Sequence, residues 1–481
     1  MATTNGLLLH RTLRFEVIGT EDEKQDSIVA PSKTLQEHSK RSPSKKKLTI
    51  YLDINEEYTR RVITNAFRTR VPNACIVYGT GEGDEEVPLP PHCDFQWSEY
   101  ERIDWSAVLA GKHGASSYCV RKGISRKAQL AHFTRHHVCK NPDSLLKDAI
   151  PKTVILDTWP VWEDNYNASA GGLNDILTGA SCKTDGINRK EILEKCLQEA
   201  KLVMSEEEHR YEDRLKCNPK ADAPIWILKP STVNKGAGIE IVHLYEQLVD
   251  ICWSECDIRE WVLQRYIDPP LLLGKRKFHI RAYVLAVSAL RVYFFRDCLA
   301  LCCGRKYKRF DTSNKFAHLT NTAYQDLDPD FVEDDCVRLW NDDDAAEILV
   351  QDGTCSTLDD AKTRVEDIVD QMERITGELF KAYKNEFSVF APLEGCFEHF
   401  GFDFMVGQDW KVSLLEVNPG PDFKQTGARL SRVIETLMCD TIDAALLEDN
   451  GSLQVGRLAL VYDDVGRSRS RGTGGVNMTL T

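Results

Sequence analysis

The sequence has no CxxC pair, although it holds 16 cysteines. That absence argues against the common zinc-binding spacings. Cys252 and Cys256, like Cys298 and Cys302, read as small buried hydrophobes. The cysteines are scattered through a long chain, and Met1-Ala2-Thr3-Thr4 begins no secretory leader, so reduced thiols and a cytoplasmic location are expected. No apolar run is long enough to cross a bilayer. The longest, Ile280 to Phe295, is broken by Arg281 and Arg291. There is no GxxxxGK[ST] loop. Gly79, Gly81 and Gly83 run instead into Asp84-Glu85-Glu86, which would repel phosphate. His132 and His136 lack the glutamate of an HExxH site. Positive charge is also in deficit, with 61 Lys and Arg against 74 Asp and Glu and a net charge of -13. This argues against general nucleic-acid binding and leaves room for local basic grooves. Neither a membrane nor a nucleic acid is expected as partner.

What is present is an ordinary globular composition, 42% apolar and 28% charged, over 481 residues, enough for two to four domains. Leu7 to Ile18 reads as a first strand. Residues 21–47, polar and rich in Ser and Lys, read as a disordered insertion. A strand at Leu48–Asp53, a helix at Glu56–Arg68 and a strand at Ala74–Tyr78 suit a small α/β domain. Ser125 to Val138 reads as a helix with Ser125 as its N-cap, and Gly186 to Glu208 contains a charged helix with a solvated face. Asp326 to Asp360 is acid-rich and reads as a loop-rich insertion. Val365 to Lys384 places Ile368, Met372, Ile375, Leu379 and Tyr383 on one packing stripe. Leu430 to Leu447 forms a second such helix, and the tail after Asp463 reads as disordered.

The chemistry concentrates in Phe397 to Thr426. Phe400, Phe402, Phe404 and Val406 alternate with Gly401, Asp403 and Met405, Gly407 to Asp409 supplies a turn, and Val412, Leu414 and Val417 form a second apolar strand. Carboxylates in strands built for burial need partners. Asp403, Glu416 and Asn418 are all oxygen ligands suited to a hard cation such as magnesium, and Glu416 and Asn418 leave one face of their strand. The same spacing also fits a hairpin with solvated acids.

Upstream, WILKP (Trp226–Pro230) is a buried strand ending near Lys229, followed by the glycine-rich loop Ser231–Gly238 with Lys235 and Gly236, and then by another strand. Glycines let backbone N–H groups approach phosphate, and lysines add point charges; an ordinary hairpin loop fits the same residues. WVLQRYI forms a strand stopped by Asp268-Pro269-Pro270. Lys277, His279 and Arg281 share one strand face and would repel one another unless an anion lies opposite. Arg305, Lys306, Lys308 and Arg309 crowd a basic loop, which reads either as solvated or as a docking site for an acidic peptide.

FGFDFMV followed by LLEVN, with KFHIRAYVL, HLTN and WILKP in order upstream, resembles the tubulin–tyrosine ligase family of the ATP-grasp superfamily, in its fungal type, over roughly residues 120 to 430. The resemblance implies an α/β (α+β) ATP-grasp fold, two subdomains clasping ATP behind a small N-terminal α/β domain. The expected divisions are 1–120, 121–266 with the phosphate-covering loop 231–238, 267–450 with the metal site, and a C-terminal strand and tail at 451–481. It implies that Asp403, Glu416 and Asn418 hold Mg2+, and that Lys127, Lys229, Lys235, Gly236, Lys277, His279, Arg281 and Asn321 contact ATP. Gln264, Arg265, Tyr266 and Ile267 would lie over adenine, with apolar cover from Leu271 to Leu273. Arg281, Glu416 and Lys229 would be catalytic. Arg296, with Arg305, Lys306, Lys308 and Arg309, would face an acidic protein tail such as that of tubulin. The family usually has Asp where this chain has His279. The reaction implied is ATP-dependent joining of a free amino acid to a protein carboxylate through an acyl phosphate. Glutamate- or glycine-adding ligases, and a non-catalytic ATP-binding scaffold of RNA granules, are the alternatives. Glu416→Gln is expected to leave the fold intact by relieving repulsion among the acids.

Overall fold

In the computed structural model of the chain, the residues described are 13–16, 47–79, 87–158, 189–217, 223–233, 236–255, 258–332, 336–340, 343–424, 430–447, 452–464 and 477–480. The readings on 21–46, on Lys235 and on most of the tail lie outside them. Strand β1 (Leu13–Glu16) pairs antiparallel with the last strand, Asn477–Leu480.

Strands β2 (Thr49–Asp53), β3 (Cys75–Tyr78), β4 (Phe95–Ser98) and β5 (Gly114–Ala115) form a parallel sheet in the order β3-β2-β4-β5. The crossover helix α1 (Glu57–Arg70) begins under the Glu56 carboxylate, which accepts from the N–H groups of Tyr58 and Thr59. Helix α1 buries Val62, Ile63, Ala66 and Phe67. Acid at its start and Arg68 and Arg70 at its end suit the helix dipole.

The central sheet is antiparallel, β6 (Thr153–Asp157), β7 (Trp226–Pro230), β8 (Glu240–Val242) and β9 (Glu260–Arg265) in the order β6-β9-β7-β8. Three helices accompany it: α2 (Lys127–Lys140), α3 (Arg189–Cys217) and α4 (Tyr245–Ser254). Trp226, Leu228, Val154 and Leu156 pack in one core with Leu193, Leu197, Ala200 and Met204 of α3, so that helix is solvated on one side only. Ser125 is not a cap. It ends a separate helical turn, Lys122–Ser125, and α2 starts after the extended Arg126; the Ser231 hydroxyl, from the glycine-rich loop, accepts from Ala128 N at 3.1 Å instead.

The largest sheet contains β10 (Leu272–Leu273), β11 (Arg276–Val287), β12 (Arg291–Cys302), β13 (Val337–Leu339), β14 (Phe397–Val406), β15 (Val412–Pro419), β16 (Gln454–Val455) and β17 (Leu458–Asp463). Its order is β15-β14-β11-β12-β17-β16, with β10 on β11 and β13 on β12. The acid-rich 326–360 region is more ordered than its composition suggests. It holds β13 and helix α5 (Asp343–Gln351), whose Ala345, Ala346 and Leu349 are buried. Helix α6 (Leu358–Tyr383) buries its expected stripe, and α7 (Ser431–Ile442) continues into a wider turn at Asp443–Leu447.

Period-two alternation divides this sheet cleanly. Phe278, Ile280, Ala282 and Val284 of β11 and Phe400, Phe402 and Phe404 of β14 share a core with Ile368, Met372, Ile375 and Leu379 of α6. The other face, Tyr283, Leu285 and Val287 with Phe397, packs against Ile50, Leu52, Phe67 and Trp97 of the N-terminal layer and Ile434 and Leu437 of α7. That layer is stitched on at Glu398, a fully buried carboxylate. It accepts from Ser117 Oγ, from Tyr118 N at 2.9 Å and from Arg121 Nη1 at 2.5 Å, while Phe397 stacks on Phe95 with centroids 5.3 Å apart. Beyond this cover, the same face of β11 and β14 turns from apolar to charged.

Candidate active site

The charged end of that face forms one wall of a cleft, and the central sheet forms the other. Lys127, Ile227, Lys229, Gly236, Lys277, His279, Thr320, Asn321, Asp403 and Glu416 are among its lining residues. Together with the open space at its mouth the cleft encloses about 690 Å³.

The acidic wall follows from strand register. Asp403 stands opposite Arg281 on one side and Glu416 on the other. Arg281 donates to both Asp403 oxygens, Nε to Oδ1 at 2.5 Å and Nη2 to Oδ2 at 3.1 Å. The anion facing Arg281 in this structure is thus a strand neighbour. Gly401 keeps room for this pair, because a Cβ there would stand 3.1 Å from Pro421 Cβ and 3.3 Å from Arg281 Cδ. Asn418 Nδ2 donates to Asp403 Oδ2 and to Glu416 Oε1, both at 3.3 Å. Glu416 Oε2 is 3.1 Å from Lys127 Nζ, which also donates to Val233 O of the glycine-rich loop at 3.2 Å. Burial raises the Glu416 carboxyl, but Lys127 and Lys229 outweigh it and hold the group well below the usual carboxylate range. Glu416 is therefore a counter-ion here, and Glu416→Gln removes an attraction, contrary to the relief of repulsion expected from the sequence.

The basic wall is buried. Lys229 donates to Gln264 Oε1 at 2.8 Å, and burial pushes its ammonium down to about 8, with Glu416 opposing the shift. Lys277 donates to Tyr266 OH at 2.6 Å and His318 O at 3.0 Å, and burial pushes it down to about 7. His318 is lowered to about 4 by burial and then by Lys277. His279 Nδ1 meets Thr320 Oγ1 at 2.6 Å; burial lowers its pKa, against the attraction of Asp403. Arg281 is raised above the ordinary guanidinium range, because Asp403 outweighs the opposing effect of burial.

No ring of three His, Cys, Asp or Glu side chains is already closed around a common point among the described residues. The donors still fit a divalent cation. Asp403, Glu416 and Asn418 bring oxygen-bearing groups together, and Asn321 Oδ1, a buried acceptor with no hydrogen-bond partner, lines the same cleft.

Several expected residues lie elsewhere. Arg265 turns away, donating to Ile225 O at 3.0 Å with Nε 3.5 Å from Glu207. Ile267 does not line the cleft, and Leu271 and Leu273 are packed in the core under β11; the apolar lining comes from Ile227, Ile239, Met405 and Leu415. Arg296 is bonded to Glu366, Asp370 and Glu373 on α6. Arg305 binds Asp328 and Asp330, and Arg309 binds Asp268 at 2.5 Å and Ala223 O at 2.6 Å. Lys306 and Lys308 are exposed and outside the cleft lining. The basic stretch is thus largely engaged with the chain's own acids, and the docking patch read from the sequence is not assembled. Thr320 and His318 were not singled out individually, although HLTN was the signal that could have found them.

Residues 172–453 match the family described as the Tubulin-tyrosine ligase family. A Schizosaccharomyces pombe protein named "Probable tubulin--tyrosine ligase" is 30% identical over 440 residues, 84% of this chain and 93% of that one. The Saccharomyces cerevisiae protein named "Probable tubulin--tyrosine ligase PBY1" is 26% identical over 431 residues, 80% of this chain but 50% of that one, so this chain spans only half of it. Tubulin glycylase 3B of Tetrahymena thermophila is 23% identical over 285 residues, covering 59% of this chain and 22% of its own. Among solved structures, the C-terminal domain of K. lactis Pby1, described as an ATP-grasp enzyme interacting with the mRNA decapping enzyme Dcp2, matches with TM-score 0.56 and 27% identity over 86% of this chain and 98% of that domain.

Proposed function

The chain is a fungal-type member of the tubulin–tyrosine ligase family with the ATP-grasp fold of ATP-dependent ligases, and from that premise we propose that it joins an amino acid to a protein carboxylate at the expense of ATP. The observation that carries the proposal is the meeting of Lys127, Lys229 and Lys277 with Asp403 and Glu416 across one cleft. An amine does not displace hydroxide from a carboxylic acid at useful rates. In the proposed reaction a carboxylate oxygen of the acceptor attacks the γ-phosphorus, ADP departs, and the amine nitrogen then attacks the acyl carbon as phosphate leaves and a proton is lost.

The chain's part is positioning and charge. Lys229 and Lys277, held by Gln264 and Tyr266, present ammonium groups where phosphate oxygens would lie. Val233 and Gly236 of the glycine-rich loop line the cleft beside them, with Gly236 in the left-handed region at φ 73° beside Asn321. Asp403, Glu416 and Asn418 would hold Mg2+, which when bound neutralises phosphate charge. The acceptor we propose is an acidic protein tail such as that of tubulin, on the strength of the relatives' names, and the setting is the cytoplasm. No helix among the described residues is long and apolar enough to cross a membrane.

A second reading, an ATP-binding scaffold without ligase activity, is favoured by one contact: Asp403 commits both oxygens to Arg281, and a carboxylate neutralised in this way is a weaker cation ligand. Incubation with Mg-ATP, labelled amino acids and a whole-cell extract separates the two. Label in protein together with ADP supports the ligase. Mg-ATP binding without either product for any amino acid selects the scaffold.

A further inference from the structure

His279 is a buried histidine of the cleft whose surroundings point to a ligand. The imidazole is 5% exposed and lines the cleft beside Asp403 and Glu416. Its Nδ1 is taken by Thr320 Oγ1 at 2.6 Å. Its Nε2 is buried without a hydrogen-bond partner, 3.6 Å from Asp403 Oδ1. In the tautomer whose Nδ1–H donates to Thr320, Nε2 presents a lone pair to a carboxylate oxygen that already accepts from Arg281, and two acceptors then face each other across a gap too wide for a good hydrogen bond. Donors each about 2.1–2.2 Å from a shared ion stand about 3.0 Å apart at a right angle and about 3.6 Å apart near 115°. The gap therefore has the width that one divalent ion spans.

A nitrogen donor changes which ion is preferred. Magnesium is bound through oxygen, whereas imidazole suits first-row transition ions, with affinity rising from Mn2+ towards Co2+ and Ni2+. We infer that His279 Nε2 and Asp403 together hold the site's divalent ion, giving a mixed nitrogen–oxygen site that favours a first-row transition ion over magnesium. This rests on the proposal that Asp403 and Glu416 form a cation site.

The test is pulsed electron paramagnetic resonance on Mn2+ added to the whole protein, unlabelled and carrying 15N-histidine. A histidine-nitrogen coupling that changes with the label and vanishes in His279→Asp is the expected result. Calorimetric titration should show the Co2+-to-Mg2+ affinity ratio falling at least about tenfold in that variant. The spectrum of the unsubstituted protein keeps the inference testable even if the variant misfolds. Mn2+ bound in a manner that Glu416→Gln abolishes, yet with no histidine coupling, overturns this inference alone. Mn2+ affinity unchanged in Glu416→Gln overturns the cation site itself, and the inference with it.

Discussion

Arg281 and Asp403 face each other in register across β11 and β14, and the guanidinium takes both carboxylate oxygens, at 2.5 and 3.1 Å. Both side chains are buried, so a lone partner would be left charged in a poor solvent for charge. Arg281→Met should therefore destabilise the protein by about 3–5 kcal/mol, whatever it does to turnover. Arg281→Met combined with Asp403→Leu should recover much of that loss. Denaturant unfolding of the two variants checks this, and a single variant no less stable than the double one contradicts it.

Glu416→Gln should cost a further, smaller amount, about 1–2 kcal/mol, because Lys127 loses its counter-ion. The same variant should lose the extra thermal stability that Mg-ATP confers. Thermal unfolding with and without Mg-ATP decides, and stabilisation equal to that of the parent protein removes Glu416 from the cation site.

Nucleotide affinity should fall as pH rises above about 7 to 8. Burial pushes Lys277 down to about 7 and Lys229 down to about 8. Bound phosphate favours the protonated forms and raises both values. Below about pH 7 both lysines are already charged and binding takes up little proton. Above about 8 each must gain a proton as nucleotide binds, so affinity drops with pH. Calorimetry at pH 8.5 in two buffers of different ionisation enthalpy should report proton uptake. Equal heats in both buffers count against these lysines as phosphate partners.

Limited proteolysis within Ser231 to Gly238 should slow when ATP is saturating. Lys127 reaches Val233 O and Ser231 caps α2, so the loop is already tethered at its start. Lys127→Met should speed cleavage in the absence of nucleotide. Cleavage indifferent to ATP denies the loop a covering role.

Within the basic loop, Arg309→Ala and Arg305→Ala should each lower the melting temperature. Arg309 pairs with Asp268, which is almost wholly buried, and stranding that carboxylate costs on the order of 3 kcal/mol. The Arg305 guanidinium is half open to solvent, but its partner Asp328 is as buried as Asp268 and would be stranded in the same way. Calorimetric melting of the two variants is the measurement.

The faces of the acid-bearing hairpin were legible because one code carried them. Period-two alternation put Phe400, Phe402 and Phe404 inward and left Asp403 on the other face; the turn at Gly407 alone would set Asp403 opposite Leu415, and a bulge after Leu414, which the sequence did not show, brings Glu416 opposite it instead. The grouping of Lys277, His279 and Arg281 followed from the same rule. The basic loop misled because a sequence shows charges and not their partners. Asp268 lies far upstream of Arg309, and the acids that hold Arg296 lie on a distant helix. Acid content likewise hid α5, whose short Ala345, Ala346 and Leu349 stripe is interleaved with as many carboxylates, Asp343, Asp344 and Glu347. The break at Arg126 was invisible because the cap of α2 comes from Ser231, a residue brought near only by folding.

Glu398 sits on the same strand as Asp403 and is the post to which Ser117, Tyr118 and Arg121 are tied. The N-terminal layer is for that reason a foundation and not a passenger. It packs against β11, β14 and α7, and through Glu398 it is fastened to the strand that carries Asp403. A change at Ser117 or Arg121 would loosen the far end of the strand that carries Asp403, and so would reach the acidic wall without altering one residue inside the cleft.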